Sequence, residues 1–137
     1  MNEKIKNLAL YRSEKSRNEL QVSKELLDKN HFPQSINRSY YAIFHSARAL
    51  LALIEFDSKK HSGIISFFIK NFVKQGLVDE KYSTIINKAQ QIRINSDYDD
   101  FYIVTKEQAQ NQYGDAKEFV KMTEVYLSSQ GILIDSG

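Results

Sequence analysis

The chain has no cysteine. That excludes disulfides, thiol nucleophiles, iron–sulfur clusters and thiolate zinc sites. It has one proline and five glycines in 137 residues. Loops and tight turns consume both residue types, so their scarcity predicts a mostly helical chain. No run of about 18 apolar residues occurs, which excludes a membrane-spanning helix. The most apolar stretch, Ser39 to Ile54, is broken by His45 and Arg48. Met1-Asn2-Glu3-Lys4 leads into a polar amphipathic segment rather than a signal core, so the chain reads as cytoplasmic. No excess of one charge exists either, with 19 Lys+Arg against 17 Asp+Glu. A net charge of +2 is not that of a protein that coats nucleic acid, so such a contact would be a local patch.

What is present is a core-forming composition, 42% hydrophobic and 12% aromatic, which excludes general disorder. The length fits one domain of about 100–200 residues. A single helical domain is expected over residues 1–131, with a tail over 132–137. Five helices are predicted. The first covers about Asn2 to Lys29, with a polar middle, Arg12 to Asn18, that reads as bent or exposed. The second runs from Pro33, suited to a first helical turn, to Phe56. The third is capped by Asp57 or Ser58 and stops at Gly76. The fourth is capped by Asp79 and gives way to a loop at Asn95-Ser96-Asp97-Tyr98-Asp99-Asp100. Thr105 with Gln108 is a capping-box pattern for the fifth, which ends at Gly131. Short connections between long helices favour an antiparallel up-and-down bundle.

The second predicted helix has two used faces. Ile36, Tyr40, Ile43, Ala47, Leu50 and Ile54 step by four and three, as a core stripe does. The opposite side carries Arg38, Tyr41, Ala42, His45, Ala49 and Ala52 instead of the usual Lys, Glu and Gln. Small residues there admit a close neighbour, either a further helix or a partner subunit. Arg38 and His45 lie seven apart, within about 20° on the wheel and about 10.5 Å along the axis. An arginine offers a fixed fork to a phosphate, and a histidine trades a proton near neutral pH. Together they can cleave RNA without a metal, the histidine assisting the 2′-hydroxyl and the arginine steadying the phosphorane. The plainer alternative is a His45 satisfied at an interface and an Arg38 paired with a carboxylate.

The segment Asn37-Arg38-Ser39-Tyr40-Tyr41-Ala42-Ile43-Phe44-His45 resembles the HEPN domain family. The agreement continues at Ser58-Lys59-Lys60-His61-Ser62-Gly63 and at Arg93-Ile94-Asn95-Ser96-Asp97-Tyr98-Asp99-Asp100. The resemblance implies an all-α bundle of about five helices that dimerises through the second-helix face. It implies a metal-independent endoribonuclease, often a toxin component, whose Arg and His map onto Arg38 and His45. The alternative it carries is a non-catalytic module that binds a nucleotide or docks a minimal nucleotidyltransferase, the antitoxin partner. Ser39 is less polar than the family's usual residue after the arginine. Ala47 stands where some toxin members carry a modifiable tyrosine.

Asn37, Ser39, Tyr41, Lys60 and His61 are candidate substrate contacts. Tyr41 suits base stacking, and Lys60 with His61 sits at a helix start that can meet phosphate. Arg93, Asp97 and Tyr98 are expected to form a structural polar network. The Asp97, Asp99 and Asp100 cluster lacks the glycine and glutamate of a calcium loop, and the three histidines are not at zinc spacing. No metal or cofactor is therefore expected.

Overall fold

The computed structural model describes residues 2–132, and the residues of the expected tail from 133 onward lie outside it. The described chain is all-helical, with five helices and no strand. α1 spans Glu3–Asp28, α2 Phe32–Ala52, α3 His61–Phe68, α4 Lys81–Tyr98 and α5 Lys106–Ser129. α3 runs on into a wide π-helical turn, Ile69–Val73.

Local chemistry sets most boundaries. Asn2 caps α1 by accepting the Ile5 amide at 2.9 Å. Asn30 adopts a left-handed backbone, φ 64°, a conformation asparagine tolerates, and turns the chain from α1 into α2. Pro33 sits in the first turn of α2, where its missing N–H costs nothing. Thr105 caps α5 through the Gln108 amide at 3.1 Å, as the capping pattern predicted. Gly76, φ 75°, and Gly131, φ 81°, close the segments before them.

Four boundaries differ from those expected. α2 ends at Ala52 rather than Phe56, so Ile54 leaves the stripe and is 45% exposed. α3 starts at His61, after a loop in which Ser58 accepts the Lys60 amide at 3.1 Å. α4 continues through Asn95–Tyr98, where a loop was expected. The i,i+4 pairs Gln91–Asn95 and Arg93–Asp97 support that extra turn. Ile132, assigned to the tail, is buried, and its amide donates to the Leu127 carbonyl at 3.0 Å.

α1 and α2 form an antiparallel pair. Their seam is made of small polar residues rather than leucine. Ser23 Oγ meets Ser39 Oγ at 2.6 Å and Ser35 Oγ at 3.1 Å, and Ser16 meets Ser46 at 2.7 Å. Arg12, Ser13 and Ser16 are buried while Glu14, Lys15 and Asn18 are exposed, so one face of the polar middle of α1 is the contact itself. The alanines of the second α2 face, Ala42, Ala49 and Ala52, are buried within the chain, whereas Arg38 and Tyr41 of that face stay partly exposed. On the other side, Ile36, Tyr40, Ile43, Ala47 and Leu50 are fully buried against α3, α4 and α5. Phe68, Phe119 and Ile86 complete that core.

Candidate functional site

One strip of α2 stays uncovered between α1 and α3. It carries Asn37, Arg38, Tyr41 and Arg48, all partly exposed, with His45 sunk to 9% exposure. The Tyr41 ring is its hub. The Arg38 guanidinium carbon lies 5.1 Å from the Tyr41 centroid. The His45 and His61 ring centroids lie 5.9 Å and 5.8 Å from it. Three groups that the sequence placed on two separate segments therefore surround one aromatic ring.

His61 arrives there because the loop before α3 packs tightly. A Cβ on Gly63 would stand 2.6 Å from Ser58 Oγ and 3.1 Å from its Cβ, so the missing side chain lets that loop close against the helix without moving Ser58. His61 then stacks on Phe44, centroids 4.2 Å apart, and its Nδ1 lies 2.8 Å from Tyr40 Oη. Burial, then Arg93 and Arg48, lowers the His61 pKa.

His45 is the most perturbed of these groups. Burial, with Lys15, Arg48, Arg38 and Arg12 adding to it in that order, pushes its pKa down to about 4. It is neutral at pH 7. Its Nδ1 is buried without a hydrogen-bond partner. Burial and the four cations disfavour the imidazolium, and an anion bound beside the ring would raise its basicity.

Arg38 is already paired. Nη1 donates to Glu19 Oε2 at 2.8 Å, and Nη2 donates to Asn37 Oδ1. The carboxylate of the plainer alternative is therefore present, and the arginine is held in place over Tyr41. A shallow recess lined by Asn37, Arg38, Ser96 and Asp97 opens beside it. Ser39, a candidate contact, is fully buried and bonds Ser23, so it belongs to the seam with α1. Lys60 is exposed at the start of α3. Arg93 pairs with Asp97 at 3.3 Å, whereas Tyr98 is 79% exposed and outside that pair. Arg93 faces Tyr40 instead, 4.7 Å from its centroid.

Residues outside the sequence expectation complete the electrostatics. Arg12 reaches across the seam to the Arg48 carbonyl at 3.1 Å and to Asp57 at 3.2 Å, and Arg48 Nη2 meets the same carboxylate at 2.9 Å. Partial burial pushes the Asp57 pKa up, but hydrogen bonds from Arg48 and the Ser58 amide outweigh it and leave it lowered. Arg12, Ser16, Glu19 and Ser23 step by four and three along one stripe of α1, but hydropathy gives that stripe no sign of burial. Among the described residues no cluster of His, Asp and Glu is arranged to hold a metal.

The sequence matches the model of the HEPN domain over residues 9–126. The chain belongs to the HEPN family. This HEPN chain is 33% identical over 120 residues to Putative toxin MJ0142 of Methanocaldococcus jannaschii, covering 88% of this chain and 82% of that one. It is 38% identical over 101 residues to Putative toxin MJ0605 of the same organism, covering 74% and 75%. It is also 31% identical over 135 residues to a UPF0332 protein of Thermotoga maritima, covering 98% and 96%. The match contains α2, α3 and α4 whole, and so all the residues around Tyr41. No helix among the described residues is long and apolar enough to cross a membrane.

Proposed function

We propose that this HEPN protein is a metal-independent endoribonuclease, the toxin component of a pair, acting as a homodimer through the α2 face. The observation that supports it is the convergence of Arg38 and of His45, neutral at pH 7, on the ring of Tyr41. His45 takes the proton of a ribose 2′-hydroxyl as that oxygen bonds to the adjacent phosphorus. Arg38, held by Glu19 and Asn37, donates to the phosphorane oxygens as charge gathers on them. The P–O5′ bond breaks, and the imidazolium returns the proton to the departing 5′-oxygen. The products are a 2′,3′-cyclic phosphate and a 5′-hydroxyl. Tyr41 offers its ring to a base, and a second copy packed on the same strip closes the cleft against water.

The test is single-stranded RNA incubated with the purified protein in EDTA. Cleavage that disappears in Arg38→Ala and His45→Ala, with helicity and melting temperature preserved, supports the reading. Intact RNA across a broad panel with wild-type dimer overturns it. A non-catalytic nucleotide-binding or docking role for the same cleft would then show as ligand-dependent stabilisation without turnover.

A further inference from the structure

His61 is partly exposed, and its Nδ1 meets Tyr40. Tyr40 is fully buried, and its hydroxyl lies 2.8 Å from His61 Nδ1. A buried O–H finds an acceptor, and Arg93, which faces the same ring, has donors only. Tyr40 is therefore the donor and Nδ1 the acceptor. Burial also pushes the Tyr40 pKa up to about 12, so the phenol keeps its proton. With Nδ1 accepting, the ring's own proton sits on Nε2. Nε2 has no partner in the described chain and is not among its buried unpaired atoms. It belongs to a ring beside Tyr41, where Arg38 and His45 also converge.

We propose that His61 Nε2–H is a phosphate-oxygen donor of the Arg38/His45 cleft, fixed in its donating tautomer by Tyr40. Tyr40 is then a positioning residue, and Arg93 supports it. The ligand class is a phosphodiester strand, whose base rests on Tyr41 while Arg38 and His61 take the phosphate from two sides. The proposal rests on the cleft assigned above but requires binding only, not cleavage.

The experiment uses the full chain in EDTA and two uncleavable probes. One is a fluorescent single-stranded oligonucleotide with 2′-O-methyl at every position, and the other is adenosine monophosphate. Imidazole nitrogen NMR reads the tautomer of His61 independently. The wild type should show the Nε2–H form and bind the oligonucleotide more tightly than the mononucleotide. His61→Ala should weaken oligonucleotide binding about ten-fold, the worth of one hydrogen bond to a charged group. His61→Gln places an amide donor at similar reach and should recover most of the loss. Tyr40→Phe should mix the tautomers and weaken binding by a smaller factor with the fold intact.

An Nδ1–H tautomer in the wild type overturns the proposal. So does His61→Ala binding as tightly as wild type, His61→Gln binding no better than His61→Ala, or a mononucleotide preferred over the strand. His61→Ala that binds the oligonucleotide like wild type, while wild type cleaves unmodified RNA, overturns the role of His61 and leaves the ribonuclease reading standing. The predicted binding pattern with RNA left whole does the reverse.

Discussion

Glu19 on α1 holds Arg38 on α2, carboxylate oxygen to guanidinium nitrogen at 2.8 Å, across the serine seam of the two helices. The pair is partly buried, so it is screened less than a surface ion pair. It fixes the arginine over Tyr41 and also offsets part of its charge. Glu19→Gln should leave oligonucleotide affinity unchanged or tighter, because a negative charge leaves the cleft. It should lower the cleavage rate about ten-fold, because the fork loses its hold. Binding by anisotropy and single-turnover cleavage separate the two effects.

The low pKa of His45 makes stability depend on pH. In the unfolded chain His45 titrates near 6.5, and in the folded chain near 4. Between those values the unfolded state holds the proton and the folded state does not. Stability is therefore full above about pH 6.5 and falls as pH drops toward 4, by up to roughly 3 kcal/mol. The lowered pKa of His61 acts in the same direction. Denaturant titrations from pH 7.5 to 4.5 should show the decline, and His45→Gln should flatten most of it.

Asp57 joins Arg12 and Arg48 from the loop after α2. Burial, and then Arg48, lowers the Arg12 pKa, while Asp57 opposes them. Asp57→Asn leaves two guanidinium groups facing each other with no anion. The expected cost is about 1–2 kcal/mol, a melting temperature lower by roughly 3–8 °C. Added salt should recover part of that loss, which a thermal scan at two ionic strengths reads directly.

The seam itself makes a stronger prediction. Ser23 is fully buried and touches both Ser35 and Ser39. Ser23→Leu inserts three carbons where two helices meet through hydroxyls and strands the Ser39 hydroxyl. It should cost about 2–4 kcal/mol and shift Arg38 away from Glu19. Ser23→Ala should cost about 1 kcal/mol and leave the cleft in place. Denaturant midpoints rank the two.

The core was legible because the Ile36 to Leu50 stripe and the Thr105 cap depend on local periodicity and local hydrogen bonding. The α1–α2 seam was not. Arg12, Ser13, Ser16 and Ser23 look solvated by hydropathy, and only the facing serines of α2 make their burial favourable. The composition of Asn95–Tyr98 reads as a loop, yet side chains one turn apart satisfy each other and carry the helix onward. Arg38 and His45 share a face by spacing alone. The roles of Glu19, Asp57, Tyr40 and the His61 loop depend on contacts between segments, which no periodicity encodes.

Cleavage through the Arg38/His45 cleft leaves a chemical signature that end-group analysis of RNA products in EDTA reads. Wild type should leave 2′,3′-cyclic phosphate and 5′-hydroxyl ends, and His45→Ala none. Intact RNA, or 3′-hydroxyl and 5′-phosphate ends made equally well by His45→Ala, would contradict it.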